Sequence, residues 1–308
     1  MEEIRKRIFP FLLSVLLIWG CSGKTRSRFM ISQMKPIMSG MSISTNRNGD
    51  VETVRKSMPA SLVQLDGFIE VSPDNTDLLI RASEAYSGYA FLFVEDTDKL
   101  RAAKLHKKAR NYALRALNQI QDFGDPLTCS NDEFNNALKK LTKEDARALF
   151  FATNSWLSYM SLARNKDPET LNNDRPKILA MMDRMMELDD TFNYGTIHVM
   201  FAAYNSAPPV NLGGNLEVAK SHFDKAFKIS DSKFLPFHYL YAKYYAVRMQ
   251  DRELFVNTLN KIISAPENLL PEKSFANEAT KEKAKTLLKR VDEFFEKDGA
   301  YLKKNLYL

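Results

Sequence analysis

The side chains in this sequence that could perform nucleophilic, acid–base or metal chemistry are few: four histidines, two cysteines and a handful of paired carboxylates. His106, His198, His222 and His238 stand far apart. None has a second His or a Glu one helical turn away, the spacing that lets one helix face present two zinc ligands. Each is therefore read as a structural histidine. No Gly-x-Ser-x-Gly turn, phosphate-binding loop or dinucleotide glycine fingerprint occurs. Cys129 lacks a local nucleophile signature. The carboxylate pairs Glu95-Asp96 and Asp189-Asp190 fall at the ends of expected helices, where solvated caps are the ordinary role. This inventory implies no catalytic residue, no cofactor and no metal. A binding or scaffolding protein is expected rather than an enzyme.

One residue does point to covalent chemistry. Arg5, Lys6 and Arg7 precede a short apolar run from Ile8 to Trp19, which falls well short of the ~20 apolar residues that cross a membrane as a helix. The run ends in Ile18-Trp19-Gly20-Cys21, the pattern of a bacterial lipobox: an aliphatic residue, a small residue, then Cys. The small residue admits the signal peptidase to the backbone, and the Cys thiol can form a thioether to a diacylglycerol. Residues 1–20 are thus expected to be a lipoprotein signal peptide, with Cys21 the lipidated first residue of a periplasmic chain. Several acyl chains make such an anchor stable rather than marginal. Ser22 after the Cys favours the outer membrane over the inner one. With Cys21 acylated, Cys129 has no partner, so no internal disulfide is expected and the core must supply stability.

The elements that position these residues are read as helices throughout. Gly and Pro are sparse, and a hydrophobic fraction of 44% supports a full core. The net charge of +6 is spread along the chain, dense only from Lys281 to Arg290, so nucleic acid is not an expected partner. Residues 21–50 read as a flexible, lipid-anchored tether, polar and without sustained period. Residues 51–308 read as one all-α domain. Its first helix, Val51 to Glu70, is expected to break or kink near Pro59. Later helices span Asp77–Val94, Asp98–Leu117, Asn131–Leu141, Ala146–Leu162 (opened by a Thr142-x-x-Asp145 capping box), Pro176–Leu188, Thr191–Tyr204, Leu216–Ile229, Phe237–Met249, Arg252–Ile263 and Ser274–Phe295.

Alternating helices with short connections suggest antiparallel hairpins, and the residues at their crossings suggest degenerate tetratricopeptide-like repeats. Such a unit sets a small residue on its first helix twelve positions before an Ala on its second, with another Ala seven further on and an aromatic between. Ala90, Ala102 and Ala109 fit, although His106 takes the aromatic slot; Ala219, Phe223 and Ala226 fit a second unit; Ala242 and Tyr245 begin a third. Ile178, Met182, Met185 and Leu188 depart from the pattern with large side chains. Met181, Met182, Met185 and Met186 could pack in the core or line an adaptable apolar site.

The segment Pro208-Pro209-Val210-Asn211-Leu212-Gly213-Gly214-Asn215 lengthens the expected Tyr204-to-Ala219 hairpin by about six residues. The prolines end a helix, the glycines permit positive φ, and Asn215 is a natural cap for the next helix. All eight residues are candidates for binding a ligand or partner, because loops on rigid scaffolds carry function; a plain connector is the alternative.

At these residues the sequence resembles the T component associated with tripartite ATP-independent periplasmic (TRAP) transporters, the TatT family. The likeness runs from about Val51 to Phe295. It is carried by Ala85-Tyr86-Ser87-Gly88-Tyr89-Ala90-Phe91, Ala109 to Leu117, Trp156, and Leu212-Gly213-Gly214-Asn215 followed by Ala219-Lys220-Ser221-His222-Phe223-Asp224-Lys225-Ala226. Arg252-x-Leu254-Phe255 (with Glu253 between) and Phe275-Ala276-Asn277 resemble its C-terminal signatures. Asn215 stands where the family has Asp, which keeps the cap and removes a charge, and Pro209-Val210 depart at the loop tip. The resemblance implies a lipid-anchored subunit that forms a homotrimer, docks the transporter's extracytoplasmic solute-binding protein and holds a hydrophobic small molecule in a helical cleft. A scaffold lipoprotein of the cell envelope, without a small ligand, is the alternative.

Overall fold

Helix starts in this chain are fixed by side-chain oxygens that accept the otherwise unpaired backbone N–H groups of the first turn. Asp50, Asn75, Asp98, Ser130, Asn215 and Asp251 each accept from the N–H three residues on. The computed structural model describes residues 23–163, 168–208 and 213–295, and among them there is no strand. The helices are α1 (Gly23–Gln33), α2 (Lys35–Arg47), α3 (Val51–Val71), α4 (Thr76–Tyr89), α5 (Lys99–Ile120), α6 (Asn131–Leu138) and α7 (Ala146–Ala163). They continue with α8 (Pro168–Asp189), α9 (Phe192–Ser206), α10 (Leu216–Ile229), α11 (Leu235–Leu240), α12 (Arg252–Ile263) and α13 (Ser274–Leu288). Thr142 and Asp145 do open α7, through one tight turn in which the Asp145 carboxylate accepts from the Thr142 N–H at 2.8 Å.

Consecutive helices pack as pairs, α4 on α5 and α9 on α10, with α7 laid against α5. The contacts are close because the facing residues are small. Ala82, Ala102, Ala109, Ala113, Ala116 and Ala152 are wholly buried, as are Ala219 and Ala226 of α10. Trp156 of α7 is buried among them and donates its indole N–H to Asp174 at 2.8 Å. A second cluster joins α11, α12 and α13 around Tyr239, Phe255 and Leu259. The all-α expectation therefore holds as a single helical domain.

Three local readings need correction. Residues 23–47 are not a loose tether but α1 and α2; Ile31 and Met38, seven apart, turn to one side and are buried against the body, a two-residue stripe that a polar composition conceals. Pro59 does not break α3, which runs through it. Pro176 lies inside α8 rather than opening it; the proline at the first helical position, where its missing N–H costs nothing, is Pro168. Cys21 and the signal segment lie outside the described residues.

The carboxylates Glu95 and Asp96 are the largest departure. They are not solvated caps. Beyond Tyr89 the backbone widens into a π turn over Ala90–Val94, closed by the Glu95 N–H on the Ala90 carbonyl at 2.9 Å, and both carboxylates face inward. A second π turn, Tyr241–Ala246, follows α11 and carries Lys243 to within 3.7 Å of each carboxylate. Lys283 of α13 pairs with Asp96 and donates to the Phe91 carbonyl at 2.6 Å. His106 of α5 meets Glu95 at 3.1 Å, and the Tyr239 hydroxyl donates to Asp96 at 3.2 Å. Two negative and two positive charges are thus buried together, each compensating the other. Burial alone raises the Glu95 carboxyl, but the His106 hydrogen bond and the Lys243 charge outweigh it and hold the group near about 2.

Two outcomes follow for stability. Ala226→Leu overpacks the α9–α10 crossing and should cost about 1–3 kcal/mol in chemical denaturation, whereas Lys225→Ala, on the exposed side of α10, should change stability by under ~0.5 kcal/mol. An unchanged midpoint for Ala226→Leu contradicts the close crossing. Glu95→Gln leaves Lys243 and Lys283 to share Asp96 and should cost about 3–5 kcal/mol at neutral pH. Because the folded Glu95 pKa is depressed, its contribution is complete above the unfolded value of 4.5 and disappears as pH falls toward about 2. The gap between wild type and Glu95→Gln should therefore narrow between pH 4.5 and pH 2; an equal gap at pH 6 and pH 3 contradicts the buried ion cluster.

Candidate functional site

Where α2, α3, α4, α7, α9 and α11 fail to close on one another they leave a cavity of about 1370 Å³. That exceeds the ~300–1,000 Å³ of an ordinary small-molecule site and suits an extended ligand. Its walls are mainly apolar and flexible: Met34 from the turn between α1 and α2, Met38 and Met41 from α2, Met58, Leu65 and Phe68 from α3, Met160 from α7, and Met200 from α9. Phe91 and Leu92 of the first π turn, with Phe150, Leu240 and Phe275, add broad apolar surface. Thioether side chains have three rotatable bonds and adapt to irregular apolar shapes.

Small residues keep the space open. Gly67 of α3 and Gly88 of α4 line the cavity, and a Cβ built on either meets nothing within 4 Å. Both sit in regular helix, so their lack of a side chain serves volume rather than backbone conformation. Glycine in a helix interior costs roughly 0.5–1 kcal/mol against alanine, so the opening is maintained at the expense of helix stability.

Charged groups reach the wall at three locations. Glu95, His106 and Tyr244 bring the edge of the buried ion cluster to the wall, so the apolar lumen abuts a charge-balanced base. Arg81 of α4 holds the opposite wall together: it pairs with Asp77 at 2.6 Å and donates to Ser39 at 2.8 Å and Ser42 at 3.2 Å, both on α2. Near the start of the long α9–α10 connection, Arg175 donates to the Tyr204 hydroxyl at 2.5 Å. Tyr204, Ala207 and Pro208 line the cavity beside it.

Among the described residues of the candidate loop, Pro208 reaches the cavity wall. Pro209, Val210, Asn211 and Leu212 lie outside the described residues. The two sides of the loop meet, since the Asn215 N–H donates to the Asn205 carbonyl at 2.9 Å, and the Asn215 side chain caps α10 by accepting from Val218. Gly213 has φ +92°, which only glycine adopts readily, whereas Gly214 is buried and is not among the residues with positive φ. Of the methionines expected to form either core or site, Met181, Met182 and Met185 are wholly buried core. The cavity draws on methionines that the sequence reading had not grouped, because they come from four helices distant in the chain.

The histidines are not all apart. His198 of α9 and His222 of α10 bring their Nδ1 atoms to 3.0 Å, and His222 stacks on Phe201 with centroids 5.1 Å apart. Burial, then the neighbouring His198, then Lys225 push His222 down to about 4, and burial lowers His198 as well. Both rings are neutral at pH 7, one donating and one accepting, and they bind the two helices of the loop-bearing hairpin to each other. Among the described residues no cluster of three His, Cys, Asp or Glu side chains has metal-binding geometry. The helix pairing that produced this contact was legible, but its azimuth was not.

No helix among the described residues is long and apolar enough to cross a membrane. An uncharacterized protein of Treponema pallidum (strain Nichols) is 20% identical over 264 residues, covering 80% of each chain. Residues 47–295 match the family described as TRAP transporter T-component, a span that runs from the end of α2 through the last turn of the described chain and includes almost every wall of the cavity. The chain belongs to the TRAP transporter T-component family.

Proposed function

We propose that this T component is a non-catalytic, lipid-anchored periplasmic subunit whose cavity holds a hydrophobic small molecule and whose surface docks the extracytoplasmic solute-binding protein of the same TRAP system. The cavity carries the reading: a space of about 1370 Å³, walled by methionine, leucine and phenylalanine and kept open by Gly67 and Gly88. A protein that only scaffolds has no use for such a volume, because an unfilled apolar space forfeits the dispersion contacts of its lining. Anchoring through Cys21, in the outer membrane by the Ser22 rule, and assembly as a homotrimer complete the proposal. The anchor rests on the Ile18-Trp19-Gly20-Cys21 pattern and on Ser22, and the homotrimer is implied by the resemblance of the sequence. In this reading Pro208 meets the cavity wall, and the Pro208–Asn215 segment contributes to binding the ligand or the docked partner.

Gly88→Leu separates binding from folding. The new side chain projects into open space and replaces a helix-interior glycine, so stability should hold or rise by up to about 1 kcal/mol. Binding of an apolar fluorescent probe such as N-phenylnaphthylamine should fall at least tenfold. Unchanged probe affinity in a folded Gly88→Leu protein means that the cavity is not the binding site, and the scaffold reading then gains.

A further inference from the structure

We propose that α1 and α2 form an interfacial helix pair that lies on an anionic phospholipid surface, so that the anchored chain is held flat against the bilayer rather than swinging on a leash. The proposal rests on the Cys21 anchor described above and goes beyond it by assigning a membrane-facing surface. Three observations carry it. The first is nearness in sequence: the described residues are helical from Gly23 onward, two positions after Cys21. The second is an unpartnered apolar stripe. Met30 and Ile37, seven apart, share one side and are each more than half exposed, with Phe29 beside them. Ile31 and Met38, about a quarter turn round the helix from them, are the residues buried against the body.

The third is charge. From residue 23 to residue 49 the sequence has five basic residues, Lys24, Arg26, Arg28, Lys35 and Arg47, and no acidic one. A short amphipathic segment with basic residues around an exposed apolar stripe binds the headgroup boundary of an anionic bilayer, and a nearby acyl chain adds a second attachment. A protein partner would equally cover an apolar stripe, but it does not account for a wholly basic segment placed directly at the anchor. α2 also supplies Met38 and Met41 to the cavity wall, so it separates the lumen from the lipid surface.

The test uses the full lipidated chain in vesicles of phosphatidylethanolamine and phosphatidylglycerol. Single cysteines at Met30→Cys, Ile37→Cys and, as control, Lys225→Cys, in a Cys129→Ser background, carry an environment-sensitive fluorophore, and lipids brominated on the acyl chain act as quencher. Quenching by more than half at positions 30 and 37, with none at 225, is expected. If the chain floats with the vesicles but positions 30 and 37 are no more quenched than 225, the surface assignment is wrong. Protection of those labels by the solute-binding protein instead would give the stripe to a protein partner, and likewise overturns it. Failure of the anchor is read separately, by palmitate-analogue labelling of wild type against Cys21→Ala. The unanchored Cys21→Ala chain then tests the surface on its own. At saturating vesicles its labels at 30 and 37 should be quenched by phosphatidylglycerol membranes and released in 0.5 M salt (about a 4 Å screening length); no quenching there also overturns the proposal.

Discussion

Four buried charges, Glu95, Asp96, Lys243 and Lys283, meet where the first helical pair joins the C-terminal one. Burying one of them alone would be prohibitive, so each requires the others to be in place. The backbone accommodates this with two π turns, one at the end of α4 and one after α11, each shifting the helix face by an added residue so that acid and base turn toward each other. The junction connects α4, α5, the turn after α11, and α13. Such clusters are weak sources of net stability compared with a packed apolar core, and their usual contribution is to permit one arrangement and penalise the rest. Here the arrangement they permit leaves the helices apart on one side.

That side is the cavity. Alanines bring α4, α5 and α7 close along most of their length, while Gly67 and Gly88 leave the facing surfaces unfilled. The lining therefore results from two opposite uses of small residues, one to close a crossing and one to keep a lumen. Its apolar, methionine-rich walls recognise shape poorly and hydrophobicity well, which suits a subunit that must accept a flexible apolar molecule and release it again. Charged side chains at the wall are already partnered: Glu95 with His106 and Lys243, Arg81 with Asp77 and the α2 serines, and Arg175 with Tyr204.

Much of this was readable from residue types. The cap at Asn215 marked a helix whose bounds match the structure, Leu216–Ile229, because a cap is a local interaction, and Arg252–Ile263 was likewise read with its observed bounds. The alanines at 219 and 226 were legible for the same reason: spacing on one helix reports one face. What escaped was set by tertiary packing. Met34, Met58, Met160 and Met200 share a lumen only once four helices are folded, so no window of sequence contains their relation. His198 and His222 are 24 residues apart and touch through the hairpin. Glu95 and Asp96 read as caps because nothing local records that a π turn directs them inward or that Lys243 lies opposite. Residues 23–47 were obscured by their serines and basic residues, since two buried side chains suffice to seat them.

The claim that the cavity is a ligand chamber is met most directly by native mass spectrometry of the protein released gently from its own membranes. The account predicts a non-covalent adduct of discrete mass that solvent extraction removes, that partitions into the organic phase, and that is absent when leucine replaces Gly88. A wild-type protein that carries no adduct when freshly isolated, and gains none from a total lipid and metabolite extract of the source cells, contradicts it.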